Sequence, residues 1–393
     1  MRGHVVVVGS SLAGIRAAET LRREGFEGDV TMVGAERHYP PYDRPPLSKQ
    51  FLRSAIEPES IRLRVDPDLR ADLHAGVRAV ALDAGARTLQ CDDGRSLRYD
   101  GLIIATGASA RRLPGPMSVP DRMCTLRTVD DALRLRSLLA VGDGPVAIVG
   151  AGFIGSEVAA TLRLGGRPVT VIDQDDAPMS RALGPELGGV VAGLHRRHGV
   201  EFALGEALTS VTADGEGLLL ETPGRSISAQ LAVVAIGAVP ATAWLDGSGI
   251  ADSGGVVCDE FGYAVPDGTV VAAGDVARWH NPVLGEAVRV EHWTNAVGQA
   301  QAAARNLLAR MQRRPAEPYR ALPYYWSDQY DWKLQFVGAI GGEVTVEEGT
   351  VASGEFVAAH RQGGRLVGAL CVNRPARVAR WRTQIHTENG VMR

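Results

Sequence analysis

An α/β architecture with two Rossmann-like dinucleotide-binding domains and a C-terminal α+β domain is predicted by three features of the chain. Two β-branched runs, Val5-Val-Val-Val8 and Val146-Ala-Ile-Val149, each lead into a glycine-rich turn and then a helical pattern, with the first glycines, Gly9 and Gly150, 141 residues apart. The composition is globular, 45 % hydrophobic and 22 % charged over 393 residues, which is enough chain for two or three domains. From about residue 316 the pattern changes to short alternating runs at 344–346, 355–358 and 366–372, separated by glycine pairs, as in a sheet.

The same numbers exclude several classes. Disorder and fibrous repeats need a different composition, and no apolar run approaches the roughly 18 residues of a spanning helix. The longest candidate, 231–239, reads as a buried strand, so no membrane association is expected. The chain passes from Met1 straight into a strand, leaving no room for a secretory signal, and a cytoplasmic location follows as an expectation. Cys91, Cys124, Cys258 and Cys371 are scattered, without C-x-x-C or zinc-type spacing, so neither a disulfide framework nor a metal site is expected. The net charge of −3 gives no case for nucleic acid, yet it conceals an asymmetry: residues 300–393 carry 13 basic and 8 acidic side chains. That basic stretch is either a solvated arginine-rich surface or a docking face for an acidic partner. Only two of the 42 basic residues are lysines, Lys49 and Lys333, so a lysine at 49 points to a site that needs a compact ammonium.

The first glycine turn, Gly9-Ser-Ser-Leu-Ala-Gly14, precedes a helical pattern through Ala17, Ala18 and Leu21 and a strand at 29–33. A glycine-rich turn feeding a helix N-terminus exposes backbone N–H groups that can hold a pyrophosphate; the other reading is a purely structural strand–helix turn. Its middle glycine is replaced by Ser11, which makes close approach to phosphate less assured. The second turn, Gly150-Ala-Gly152-Phe-Ile-Gly155, has all three glycines, with a helix through Val158, Ala159 and Leu162 and a strand ending in Asp173, 18 residues after Gly155. A carboxylate there can accept both ribose hydroxyls and repel a 2′-phosphate, which favours NADH; a surface aspartate is the alternative. Two further apolar runs end in glycine, at 102–107 and 231–237, and a third, 270–275, ends in Asp275, an acid that could face a polyol chain. The resulting division is 1–109 with 236–315, an inserted 110–235, and 316–393.

Together, Pro41-Tyr-Asp-Arg-Pro-Pro-Leu-Ser-Lys49, Ala105-Thr-Gly107, the doubled glycine turns, Gly274-Asp275, Glu291-His-Trp293 and Tyr325-Trp-Ser-Asp-Gln-Tyr330 resemble the NADH-dependent ferredoxin reductases that serve oxygenases. The resemblance extends over nearly the whole chain and implies a glutathione-reductase-like fold, with an FAD domain interrupted by an NAD domain and followed by an interface domain. It also implies roles. Gly9, Ala13 and Gly14 match the FAD pyrophosphate turn, Arg44 and Lys49 the loop over the flavin, and Thr106 and Gly107 a cofactor segment. Ala79 and Arg127 match less obvious cofactor contacts. Asp275 matches the ribityl ligand, Glu291, His292 and Trp293 the segment at the pyrimidine edge, and Trp326 an aromatic near the exposed side of the flavin, with a core tryptophan as the alternative. Gly150, Gly152, Phe153, Ile154, Gly155, Asp173, Arg181 and Gly237 fall to the NADH side. Where the family places the ribose carboxylate this chain has Ala35, and the adjacent Glu36 becomes the candidate, unless the ribose is left to water and backbone.

Lys49 and Glu157 are the expected catalytic pair. Lys49 belongs to one domain in this division and Glu157, two residues past Gly155, to the other; if they meet, each compensates the other's burial, and the ammonium can stabilise negative charge arriving on the flavin. An ordinary interdomain ion pair is the alternative. Relatives that reduce disulfides or peroxide carry a redox cysteine pair or a single cysteine near the flavin, and neither is found here. The resemblance therefore implies electron transfer from FAD to an acidic iron–sulfur ferredoxin feeding a haem-thiolate monooxygenase or a ring-hydroxylating dioxygenase. A rubredoxin reductase and a redox-sensing protein similar to apoptosis-inducing factor are the competing readings.

Overall fold

The structure, a computed structural model, describes residues 3–38, 40–53 and 56–389. The chain divides into two compact units. One comprises the residues up to Asp43 with Arg62–Ser109 and Val239–Tyr324, and the other comprises Arg44–Ile61, Ala110–Ala238 and the residues from Tyr325.

The first unit is built on a five-stranded parallel sheet in the order Val270–Ala272, Gly101–Ile104, His4–Val8, Asp29–Gly34, Asp72–Ala75. Its central strands are apolar at nearly every position because both faces are covered, as parallel sheets require. Val5, Val7, Ile103 and Val271 pack under the helices Leu12–Arg23 and Trp293–Met311. The alternate residues Val6, Val8, Leu102 and Ile104 meet Leu82, Leu89 and Cys91 of an antiparallel three-stranded sheet, Ala79–Asp83, Thr88–Cys91 and Ser96–Arg98. The two-residue period of a strand thus assigns each side chain to one layer.

The second unit repeats this plan. Its parallel sheet has the order Val200–Leu204, Val169–Asp173, Val146–Val149, Leu231–Val234, Met123–Thr125. Another antiparallel trio, Ser210–Asp214, Gly217–Glu221 and Ser226–Ala229, covers Ala147, Val149 and Ile172. The C-terminal part of the same unit is a five-stranded sheet, Tyr324–Gln329, Trp332–Gly338, Arg365–Val372, Glu355–Gln362 and Glu343–Thr350, with antiparallel pairing along its last four strands. Leu187, Val191 and Leu194 of the helix Pro185–Arg197 pack on Tyr325, Leu334 and Phe336 of this sheet, and the last helix, Pro375–Glu388, lies against the strands Trp332–Gly338 and Arg365–Val372. The predicted fold class, two Rossmann-like sheets and a C-terminal α+β portion, is borne out. The segment Arg44–Ile61 groups with the second unit although the chain on either side of it belongs to the first. Among the described residues, no helix is long and apolar enough to cross a membrane, and no group of three metal-ligating side chains converges.

Candidate functional site

Both glycine turns are forced by steric contact. A Cβ on Gly9, where φ is +112°, would lie 2.1 Å from the Ala105 carbonyl oxygen, and one on Gly14 would lie 1.8 Å from the Gly9 carbonyl oxygen. In the second turn the corresponding distances are 2.3 Å from Gly150 to the Ala235 carbonyl oxygen and 1.9 Å from Gly155 to the Gly150 carbonyl oxygen. The middle positions differ. Ser11 (φ −91°, ψ −162°) and Gly152 (φ −73°, ψ −164°) share an extended backbone open to any residue, and a Cβ on Gly152 would meet nothing within 4 Å. The turn itself therefore does not require glycine at its middle position, and serine there preserves the backbone while Gly152 leaves the space beside its helix N-terminus open. Ser11 and Gly152 are the N-caps of Leu12–Arg23 and Phe153–Leu164, and neither provides a side-chain cap to the first-turn N–H groups. Helix N-termini of this kind suit the pyrophosphates of FAD and of NADH, so the residues present fit both groups.

In the first unit, Ala13 lies in the first turn of its helix and faces Gly274, whose added Cβ would sit 3.1 Å from that of Ala13. Asp275 follows in the one-turn helix Gly274–Val276, where its backbone carbonyl accepts from Arg289 Nη1 at 3.0 Å. The Glu36 carboxylate accepts a hydrogen bond from Tyr42 OH. Thr106 Oγ1 donates to the Ala241 carbonyl at 2.9 Å, and Gly107 adopts φ +69°. Glu291 pairs with Arg289, and burial lowers the pKa of His292 to about 4, so that the imidazole is neutral at the N-cap of Trp293–Met311. Trp293 Nε1 donates to Asp43 Oδ1 at 2.8 Å, a partner the sequence reading missed. Ala79 lies on the antiparallel trio, opposite Cys91.

In the second unit, Asp173 accepts from the Ala151 N–H at 2.5 Å through Oδ2 and from the Asp175 N–H at 2.9 Å through Oδ1. A carboxylate has about four acceptor positions, so two remain for ribose hydroxyls. Arg181 is largely exposed, with Nε 3.1 Å from Asp175 Oδ2. Phe153 sets its edge against the Tyr325 ring at 4.8 Å between centroids, Ile154 is exposed, and Gly237 has φ +100° with open space at its Cβ position. Arg44 Nη1 donates to the Arg127 carbonyl at 2.7 Å, joining two residues that the sequence reading named separately.

Lys49 and Glu157 meet within this unit, Nζ to Oε2 at 2.6 Å, with side chains 12 % and 6 % exposed. Lys49 also donates to the Pro45 carbonyl at 3.1 Å. Three hydroxyls missed in the sequence complete the surroundings: Ser48 Oγ donates to Glu157 Oε2 at 2.5 Å, Ser327 Oγ to Glu157 Oε1 at 2.8 Å, and Thr161 Oγ1 to the Ser48 carbonyl at 2.7 Å. Glu157 and Thr161 are four apart on one helix face, so both grip the 45–48 segment. Trp326 alternates with the buried Tyr325 and Ser327 and turns its side chain to the opposite face of its strand.

Two family models match the chain: pyridine nucleotide-disulphide oxidoreductase over residues 3–300 and reductase C-terminal over residues 324–392. The chain is 38 % identical over 377 residues to rhodocoxin reductase of Rhodococcus erythropolis, covering 94 % of this chain and 86 % of the relative. It is also 38 % identical over 386 residues to the ferredoxin–NAD(+) reductase component of the p-cumate 2,3-dioxygenase system of Pseudomonas putida, covering 96 % and 92 %. Among solved structures, the reductase of the covalent putidaredoxin reductase–putidaredoxin complex superimposes with a TM-score of 0.89 at 30 % identity, covering 98 % of this chain and 93 % of that one.

Proposed function

We propose, from the premise that this chain belongs to the pyridine nucleotide-disulphide oxidoreductases and within them to the ferredoxin–NAD(+) reductases, that it carries electrons from NADH to an acidic iron–sulfur ferredoxin. The ferredoxin in turn supplies a haem-thiolate monooxygenase or a ring-hydroxylating dioxygenase. Bound FAD supplies the chemistry, accepting a two-electron hydride and releasing electrons singly.

The chain's own residues divide the work. Gly9, Ala13 and Gly14, with Asp275 and the 291–293 segment, hold FAD; Gly150, Gly152, Gly155 and Asp173 hold NADH, and the Asp173 carboxylate disfavours a 2′-phosphate. Lys49 offers a fixed ammonium to the negative charge that develops in hydride transfer, and Glu157 keeps it oriented. The observation that carries this reading is the state of the thiols. All four cysteines are buried and unpaired, and burial pushes Cys124, Cys258 and Cys371 up to about 12, so the thiols are poorly suited to a relay, which supports an acceptor outside this chain. Unpaired cysteines also support a reducing, cytoplasmic setting.

The test is an anaerobic titration of the purified yellow protein with NADH and NADPH, followed by mixing with a two-iron ferredoxin and, separately, with rubredoxin. Faster bleaching by NADH and faster reoxidation by the ferredoxin are expected. Preferential reduction of rubredoxin would assign the chain to the rival acceptor, and a protein that cannot be reconstituted with FAD would end the proposal.

A further inference from the structure

The strand Tyr324–Gln329 buries every second residue, and Ser327 and Gln329 emerge on the same face as Tyr325. Ser327 Oγ reaches Glu157 Oε1 at 2.8 Å. Behind it, Gln329 Nε2 lies 3.0 Å from Ser327 Oγ and 3.2 Å from Met179 Sδ. His195 Nε2 is 2.8 Å from Gln329 Oε1, and Tyr330 OH is 3.1 Å from His195 Nδ1. Ser327 and Gln329 are each 0 % exposed and His195 is 1 % exposed.

The directions of these hydrogen bonds are determined by chemistry. A thioether accepts but cannot donate, so Met179 fixes the NH2 end of the Gln329 amide towards itself and Ser327. Gln329 Oε1 therefore faces His195 and must receive a proton from Nε2, which leaves Nδ1 to accept from Tyr330. Burial lowers the pKa of His195 to about 4, so the ring stays neutral and keeps that single tautomer. Ser327, already accepting from Gln329, gives its own proton to Glu157. The donors run one way, from Tyr330 through His195, Gln329 and Ser327, and end on the carboxylate that holds Lys49.

We infer that Ser327, Gln329 and His195 are positioning residues for hydride transfer: their one-way hydrogen-bond chain occupies the second oxygen of Glu157, so that the first is held on Lys49. The inference deepens the role given above to Lys49 and rests on it. A relaxed Glu157 would let the ammonium swing, and misplacement of a catalytic group by about 1 Å can cost up to roughly a hundredfold in rate.

The near absence of lysine makes the test direct. Protein labelled with 13C at lysine Cε gives signals from Lys49 and Lys333 alone, and Lys333→Arg assigns them. In FAD-loaded Ser327→Ala and Gln329→Leu, the Lys49 signal is expected to move while that of Lys333 does not. Flavin reduction at saturating NADH should slow about tenfold with the Kd for NADH changed less than about threefold. Ser327→Thr, which keeps the hydroxyl, should restore both readouts. Should Gln329→Leu not fold, Ser327→Ala, which removes one oxygen atom, carries the test alone. An unmoved Lys49 signal overturns the chain, and a moved signal with an unchanged reduction rate overturns its catalytic purpose. Lys49→Met measured alongside separates that failure from failure of the lysine's own role, since only the latter leaves this variant at full rate.

Discussion

The Lys49–Glu157 pair is buried, and such pairs are asymmetric in their energetics: removal of one partner strands the other charge at a cost of about 3–5 kcal/mol. Lys49→Met should therefore lower thermal stability, and Lys49→Met with Glu157→Gln should recover most of the loss, as differential scanning calorimetry can measure. In stopped-flow reduction by NADH, both variants are expected to be at least about tenfold slow at saturation with little change in NADH affinity, the signature of an interaction made in the transition state. An unchanged single-turnover rate would reject the catalytic role. Asp173→Ala should narrow the preference for NADH over NADPH in kcat/KM by about tenfold, roughly 1.4 kcal/mol. An enzyme that already prefers NADPH contradicts the assignment. These charged residues were legible in the sequence because each stands in or at a short offset from a recognisable motif. The roles of Ser48, His195, Ser327 and Gln329 were not, although Ser48, Ser327 and Gln329 lie inside quoted segments, because each role is defined by a partner more than 100 residues away.

At the scale of elements, the two kinds of glycine in the second turn make opposite predictions. An added methyl at Gly155 meets the Gly150 carbonyl oxygen at 1.9 Å, so Gly155→Ala should lower the melting temperature and NADH binding together. Gly152 has open space and an ordinary φ, so Gly152→Ala should fold normally, with an unchanged melting temperature but a KM for NADH raised several-fold because the methyl occupies the approach to the helix N-terminus. Equal melting and equal KM would remove the pyrophosphate assignment from this turn. The parallel strands were readable as apolar runs because both their faces are buried. The two antiparallel trios were not, since strands such as Ala79–Asp83 and Ser226–Ala229 are short and half exposed and take their register from their neighbours in the sheet.

For the whole molecule, the neutral burial of His195 links stability to pH. Its pKa falls from 6.5 in the unfolded chain to about 4 in the native one, so the unfolded state binds the extra proton between those values. The stabilisation is complete above about pH 6.5 and is lost as the pH falls towards 4, amounting to about 3 kcal/mol. Urea unfolding should show a shallower acid limb for His195→Gln than for the parent protein; parallel limbs would show that the imidazole titrates normally. Charge acts over longer range. The 13 basic and 8 acidic residues of 300–393 leave this stretch positive within a chain of net charge −3, although Glu348 already engages Arg377 at 2.9 Å and Arg380 at 3.5 Å. If an acidic ferredoxin docks near this stretch, its exposed arginines, Arg365 among them, would steer the encounter. Steering decays over a Debye length of about 10 Å at 0.1 M salt, so the second-order rate with ferredoxin should fall steeply as salt rises past that concentration, while reduction of an uncharged quinone stays flat. Arg365→Glu should lower kcat/KM for ferredoxin at low salt, leave the NADH half-reaction untouched, and converge with the parent at high salt. Equal salt dependence for ferredoxin and quinone would show that encounter is guided by something other than this charge.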